Sequence, residues 1–186
     1  SFDLLNSLDH PPFLHDHRSQ DLAFELIDSP FLQEWRTRCH DNYILIAMRM
    51  DEESHSPLLR KIAALRSRAG AMPHTVQRIA YHTHKRLVDM HWRSRCARIL
   101  KNNPQPHSCP IRRLDASIAE SFEAFCQLVA DARYIISDRM HVGILAYLLN
   151  KPATLIGNSY YKTQAVYEFS MNHEGSPVQF ISGADA

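Results

Sequence analysis

Apolar runs that suit strands alternate with segments of helical periodicity from Tyr43 to the end of the chain. Short runs rich in β-branched and aromatic residues are typical of strands buried in a parallel sheet. They predict strands at 43–48, 76–82, 134–137, 153–157 and 177–182, with a short extended piece at 109–114.

Between these runs, apolar residues recur every three or four positions, which is the spacing of one helix face. Ser56 is a candidate N-cap for one such helix, and Asp115 or Ser117 for another. Helices are predicted at 57–69, 85–100, 118–129, 140–150 and 163–169. Strands and helices that alternate at this spacing predict an α/β, Rossmann-like fold, a parallel sheet with helices on both faces.

The first part of the chain lacks this alternation. Prolines interrupt it, and only two short helices are predicted there, at about 21–27 and 30–38. We interpret residues 1–40 as an N-terminal arm or the end of a preceding domain, and residues 41–186 as one Rossmann-like domain.

The composition is that of an ordinary globular protein, with 186 residues of which 45% are apolar and 22% charged. The formal net charge of +1 creates no large field that would attract nucleic acid or an anionic membrane to the whole molecule. Any anion site must therefore be a local group of a few residues, and we predict no nucleic-acid partner.

Cysteine usage and hydropathy bear on the compartment. The four cysteines are scattered and form no C-x-x-C pair, which favours free thiols in a reducing compartment and hence the cytoplasm. No apolar run approaches the ~20 residues of a membrane span. We expect no transmembrane segment, while peripheral association with a membrane stays open.

Two H-x-H pairs stand out among the twelve histidines, His15 with His17 and His82 with His84. On a strand, such a pair places both imidazoles on one face, which suits zinc or nickel. Spacing identifies no third ligand, so we predict no metal site. His82, at the end of the predicted strand 76–82, is instead a candidate for the cleft at the strand ends.

The stretch 91–95, together with Arg98, combines several arginines with one aromatic residue, a pattern seen in RNA-binding surfaces. Acidic residues elsewhere balance this charge, so we interpret the stretch as a solvated helix face. The chain has no G-x-G-x-x-G motif and only five glycines. A backbone cradle for phosphate is therefore not expected.

The densest motif is YIISDRMHVGILAYLLNKPATLIGNSYYK, residues 134–162. It resembles the C-terminal signature of the polysaccharide pyruvyl transferase family. In that family a strand ends in a (T/S)-x-R-L-H-(G/A) turn, and an apolar helix, a K/I-P dipeptide and a further strand lead to D-N-S-Y-G-K. The matching positions are Ser137, Asp138, Arg139, Met140, His141, Lys151, Pro152, Asn158, Ser159, Tyr160 and Lys162. Arg49 and Asp51 fit an R-x-D pattern that the family often has after the first strand of this half.

The resemblance implies a GT-B arrangement of two Rossmann-like domains that face a cleft. The chain has the length of the C-terminal, phosphoenolpyruvate-binding domain. The implied activity transfers the pyruvyl group of phosphoenolpyruvate to a saccharide or lipid-linked saccharide and forms a pyruvate ketal. No cofactor is implied, and the setting is the synthesis of exopolysaccharide or cell-surface glycans in the cytoplasm.

The residue types in this motif suit such a substrate. Ligands of a parallel sheet bind beyond the carboxyl ends of its strands, where helix N-termini direct free N–H groups outward. Arg49 and Arg139 follow two different predicted strands, and each guanidinium can bind a carboxylate or phosphate through two parallel hydrogen bonds.

Histidine titrates near neutral pH, so His141 is the candidate general acid, with Arg139 beside it in the catalytic pair. Lys162 could neutralise phosphate as a point cation. Asn158 is a further candidate for substrate binding, although asparagine is also a common turn former. His82 is the weakest of these candidates.

Two alternatives stay open. A GT-B glycosyltransferase that uses a nucleotide sugar would share the fold, and fold alone does not decide function. A non-catalytic domain that keeps the fold would fit Val142 and Tyr161, which replace small residues of the family pattern. Binding of phosphoenolpyruvate or of a nucleotide sugar distinguishes the pyruvyltransferase from the glycosyltransferase. Assays of the chain alone and within any longer parent test for the non-catalytic domain.

Overall fold

A computed structural model describes residues 22–48, 73–102, 109–113, 121–157 and 161–182. Within these residues five parallel strands form one sheet in the order β2-β1-β3-β4-β5. The strands are β1 (Tyr43–Ala47), β2 (Ile111–Arg113), β3 (Ala132–Ser137), β4 (Ala153–Ile156) and β5 (Val178–Ile181). The predicted α/β, Rossmann-like fold is confirmed, whereas the GT-B arrangement of two such domains stays a prediction.

Helices precede and connect the strands. They are α1 (Pro30–Thr37), α2 (His74–Lys101), α3 (Phe122–Ala130), α4 (Met140–Leu148) and α5 (Tyr161–Val166). A 3₁₀ turn at Leu22–Leu26 precedes α1, and α5 continues into a π-helical turn at Tyr167–Met171. The other four predicted strands, the extended piece at 109–114 and the buried helix predicted at 140–150 are confirmed. The helix predicted at 57–69 lies outside the described residues.

The strand predicted at 76–82 is wrong, because these residues belong to α2. Val76, Ile79 and Ala80 have the i, i+3, i+4 spacing of a helix face. No glycine or proline separates them from the helix predicted at 85–100, so one helix continues through both segments.

The two faces of the sheet bury different helices. Leu45, Ile135 and Leu155 point to the face covered by α1, α3 and α4. Alternate residues point to the other face, where α2 packs. The α2-side core consists of Ile44, Ile46, Met48, Trp92, Cys96, Ile99, Tyr134, Ile136 and Ile156.

The chain reverses its direction across the sheet at β1. The connection through α2 leads from β1 to β2 on one side, and the next connection returns past β1 to β3 on its other side. The carboxyl ends of β1 and β3 therefore flank a topological switch point, the position where ligands of open α/β sheets bind.

Helix α4 lies very close to β4 because Gly143 has no side chain. A Cβ atom at Gly143 would lie 1.8 Å from Cδ1 of Leu155, which is fully buried in β4. This close approach fixes the position of the α4 N-terminus relative to the strand ends.

Helix α3 begins at Phe122, and its N-cap is Ser121, whose Oγ accepts a hydrogen bond from Ala124 N at 3.1 Å. The predicted caps Asp115 and Ser117 lie outside the described residues.

Residues 22–38 pack on the same core as the sheet. Phe24, Leu32 and Trp35 are buried in the cluster under α3 and α4. Arg36 Nε donates a hydrogen bond to Leu148 O at 2.9 Å. The proposed domain boundary at residue 40 stays a prediction.

Among the described residues, no helix is long and apolar enough to cross a membrane. All four cysteines lie within the described part of the chain and are free thiols.

Candidate functional site at the switch point

Ser137 connects the ends of β1 and β3. Its buried hydroxyl donates a hydrogen bond to Ala47 O at 2.7 Å and accepts one from Arg139 N at 3.0 Å. One side chain thus holds the last residue of β1 and the residue that precedes α4 in a fixed relation. This is the local reason why the (T/S)-x-R segment forms a defined turn.

Arg139 is the N-cap residue of α4, with extended backbone angles (φ −96°, ψ 118°) and a half-buried side chain. Its carbonyl accepts the first hydrogen bond of the helix, from Gly143 N at 3.2 Å. His141 lies in the first turn of α4 and is exposed. The two predicted catalytic side chains therefore lie at the helix end where backbone N–H groups are free to bind an anion.

Asp138 lies between Ser137 and Arg139 and is only 1% exposed. Acidic residues are almost never buried to this degree unless an opposite charge or hydrogen bonds compensate them. The buried Asp138 carboxylate therefore requires compensation by nearby cations or hydrogen-bond donors.

Lys162 is the second residue of α5, the helix that follows β4, and it is exposed. Since β4 lies next to β3 in the sheet, Lys162 is placed at the same edge as Arg139 and His141. Asn158 comes directly after Gly157, and Arg49 two residues after the end of β1. Both lie outside the described residues.

His82 is not at a strand end, which corrects the prediction. It is exposed on α2, ten residues or about 15 Å of helix before Trp92, where α2 reaches the sheet. The strand geometry that would place the imidazoles of His82 and His84 on one face is also absent, because α2 is a helix. Within the described ranges, no group of three His, Cys, Asp or Glu side chains could hold a metal ion.

The interpretation of 91–95 as a solvated helix face is wrong for two of its residues. Trp92 is 5% and Arg95 7% exposed, and the Arg95 guanidinium carbon lies 5.2 Å from the centre of the Trp92 ring. The signal was present in the sequence, since Trp92, Cys96 and Ile99 are spaced by four and three residues, as on a buried helix face.

The charges that act on Arg95 come from Arg98 of the same helix and from Asp138 in the turn after β3. Burial lowers the pKa of Arg95, and neighbouring Arg98 lowers it further, while the Asp138 carboxylate opposes this shift. Burial also raises the pKa of the Cys96 thiol to about 12, although Arg113 and Arg95 act in the opposite direction. Cys96 is therefore a protonated packing residue and not a nucleophile.

The Lys-Pro part of the motif lies at the opposite edge of the sheet, before β4. Buried Lys151 donates hydrogen bonds from Nζ to His40 O at 2.6 Å and to Asp41 Oδ1 at 3.2 Å. Its role is to join the loop before β1 to the loop before β4. The motif thus combines a candidate site with a structural anchor.

The fold and the site define an α/β protein that presents an Arg–His pair at the switch point of a parallel sheet. A model of the polysaccharide pyruvyl transferase family matches residues 1–160, which include Arg139 and His141. The chain belongs to the polysaccharide pyruvyl transferase family. No curated protein and no solved structure matched it.

Proposed function

We propose that the protein binds phosphoenolpyruvate and transfers its pyruvyl group to two hydroxyls of a saccharide, which forms a pyruvate ketal. The observation that carries the proposal is the placement of Arg139 and His141 at the start of α4, with the backbone of Arg139 tied to β1 through Ser137. Membership of the family supports a pyruvyl transfer, and the geometry supports a small anionic donor.

Phosphoenolpyruvate carries a carboxylate and a phosphate on three carbons, so its recognition requires cations from more than one direction. Arg139 supplies one planar guanidinium at the end of β3. Arg49, two residues beyond the end of neighbouring β1, is proposed as the second on the basis of its place in the sequence. Lys162 adds a point charge beyond β4, and Asn158 is proposed to donate its amide to the same ligand.

The chemistry requires one proton donor near the donor molecule. Protonation of the methylene carbon of phosphoenolpyruvate makes the adjacent carbon electrophilic, and one saccharide hydroxyl adds there. A second hydroxyl then displaces phosphate from the same carbon. Of the two hydroxyl protons, one replaces the proton given to the methyl group and the other leaves with phosphate.

His141 is proposed to deliver the first proton, because imidazole exchanges protons near neutral pH and this side chain is exposed at the site. General acid catalysis of this kind contributes roughly 10²–10⁴-fold to the rate. Arg139 would bind the phosphate group while its bond to the pyruvyl carbon breaks. The acceptor is proposed to be a free or lipid-linked saccharide.

Thermal unfolding of the chain with different ligands tests the donor. Phosphoenolpyruvate at 100 times its dissociation constant should stabilise the folded state by about 2.7 kcal/mol and raise the melting temperature accordingly. A uridine or guanosine diphosphate sugar should leave it unchanged. Stabilisation by the nucleotide sugar but not by phosphoenolpyruvate would reject the proposal in favour of a glycosyltransferase.

Variants at the two ends of β3 assign the effect to the site. Arg139→Met should abolish the shift caused by phosphoenolpyruvate, because it removes the guanidinium but keeps the length of the side chain. Arg133→Met is the matched control, since Arg133 lies near the opposite, amino end of β3. Equal loss in both variants would mean that general positive charge, and not this site, binds the ligand.

A further inference from the structure

Arg95 is an unusual residue for the position it occupies. Arginine is rarely buried unless its charge is compensated, yet this side chain is 7% exposed in the contact between α2 and the sheet. The ring of Trp92 lies beneath the guanidinium at 5.2 Å, which restricts its orientation. The residue is therefore held in place and is not a mobile surface cation.

The direction of α2 places Arg95 near the candidate site. Because α2 connects the parallel strands β1 and β2, it runs from the carboxyl edge of the sheet back to the amino edge. Trp92 and Arg95 precede Ile99 and so lie nearer to the carboxyl edge. Met48, just beyond the end of β1, belongs to the same buried cluster as Trp92.

The acidic residue that acts on Arg95 there is Asp138. Asp138 is buried directly after β3, the strand whose Tyr134 and Ile136 pack against α2. Its carboxylate, after Cys96, opposes the lowering of the Arg95 pKa by burial and by Arg98. This attraction is mutual, and little solvent is present to screen it between two buried side chains. Asp138 directly precedes Arg139, whose backbone N–H donates a hydrogen bond to Ser137 Oγ.

We propose that Arg95 is a positioning residue that holds the Ser137–Arg139 turn through Asp138 and so orients Arg139 and His141 toward the bound anion. A residue on the α2 side of the sheet thereby positions the turn, while residues at the start of α4 contact the ligand. The identity of the anion as phosphoenolpyruvate rests on the proposed function. The positioning role does not.

Amide hydrogen exchange measured by NMR tests the positioning role without any ligand. Arg95→Met removes the charge and keeps an apolar stem, and should speed exchange at the amides of Arg139 and Gly143 about tenfold. Arg93→Met is the matched control, because Arg93 lies on the same helix but is exposed and pairs with Asp89. Unchanged exchange at these two amides in Arg95→Met would overturn the inference.

Binding of phosphoenolpyruvate then shows whether the effect reaches the ligand. Arg95→Met should weaken binding about tenfold, Arg95→Lys less, and Arg93→Met not at all. If Arg95 acts through Asp138, the double variant Arg95→Met/Asp138→Asn should bind phosphoenolpyruvate no more weakly than whichever single variant binds it more weakly. Additive losses would mean that Arg95 acts independently of Asp138 and would contradict the proposal.

The outcomes separate this inference from the proposed function. If the unmodified chain binds no phosphoenolpyruvate, the proposed donor is wrong, and hydrogen exchange alone decides the role of Arg95. If the unmodified chain and Arg95→Met bind it equally well, the donor stands and the inference fails. Should Arg95→Met not fold, Arg95→Lys takes its place in both measurements.

Discussion

At the scale of single residues, one hydroxyl determines the geometry of the candidate site. Ser137 Oγ bonds both to the end of β1 and to the backbone of the turn after β3. A residue that was expected only to match a motif is therefore the link between two strand ends. The side chains of Arg139 and His141 depend on it for their position.

Replacement of this hydroxyl has a defined cost. Ser137→Ala should lower the free energy of unfolding by about 1–3 kcal/mol, because it leaves the buried Ala47 O without this donor and Arg139 N without this acceptor. Ser137→Thr, which keeps the hydroxyl, is the control. Urea unfolding measures both, and equal stability of Ser137→Ala and the unmodified chain would show that the hydroxyl does not hold the turn.

At the scale of elements, the contact between α4 and β4 sets where the site lies. Six of the nine residues of α4 are buried, and the helix approaches β4 at Gly143, opposite Leu155. Periodicity cannot reveal this approach, since an apolar helix has no distinct face. The packing of the helix on the strand is known only once both are placed.

The variant Gly143→Ala tests that contact. An alanine in a helix interior usually stabilises by roughly 0.5–1 kcal/mol relative to glycine, but here its Cβ would meet Leu155. Overpacking should prevail and lower the free energy of unfolding by about 1–3 kcal/mol. The double variant Gly143→Ala/Leu155→Ala should lose less than the sum of the two single losses. Stabilisation by Gly143→Ala alone would contradict the close approach.

Sequence periodicity predicted some strands and helices correctly and others wrongly, and each outcome has a physical reason. Strands buried on both faces are short continuous apolar runs, so β1, β3 and β4 could be predicted. The 76–82 segment has β-branched and aromatic residues, but the helix that follows it extends into it without a breaker. The burial of Trp92 and Arg95 was missed because charge balance says nothing about which side of a helix faces the sheet. The spacing of Trp92, Cys96 and Ile99 does indicate that side.

At the scale of the whole molecule, buried thiols make the folding stability depend on pH. Burial raises the pKa of Cys96 to about 12 and that of Cys126 to about 11. In the unfolded chain both thiols ionise near their ordinary pKa of 9.0. Above that pH the unfolded state loses protons that the folded state retains, so folding stability falls as pH rises.

The contribution of one thiol can be measured as a difference. Between about pH 9 and 12, Cys96 should contribute a loss of up to ~1.4 kcal/mol per pH unit. Cys96→Ala should remove this part of the slope, while stability below pH 8 changes only by the loss of packing. Urea unfolding at pH 7 and pH 10 provides the comparison, and parallel slopes for the two proteins would rule out a buried neutral thiol.

By itself, the sequence determined the α/β class, most of the strands and the Arg139–His141 motif, because hydrophobic period and local motifs act over a few neighbouring residues. Only the tertiary structure decided that β1 and β3 meet at a switch point, that Lys151 anchors the opposite edge, and that Arg95 is buried. These facts depend on strand order and on the direction of α2. Both follow from how distant segments share one core, which no local spacing encodes.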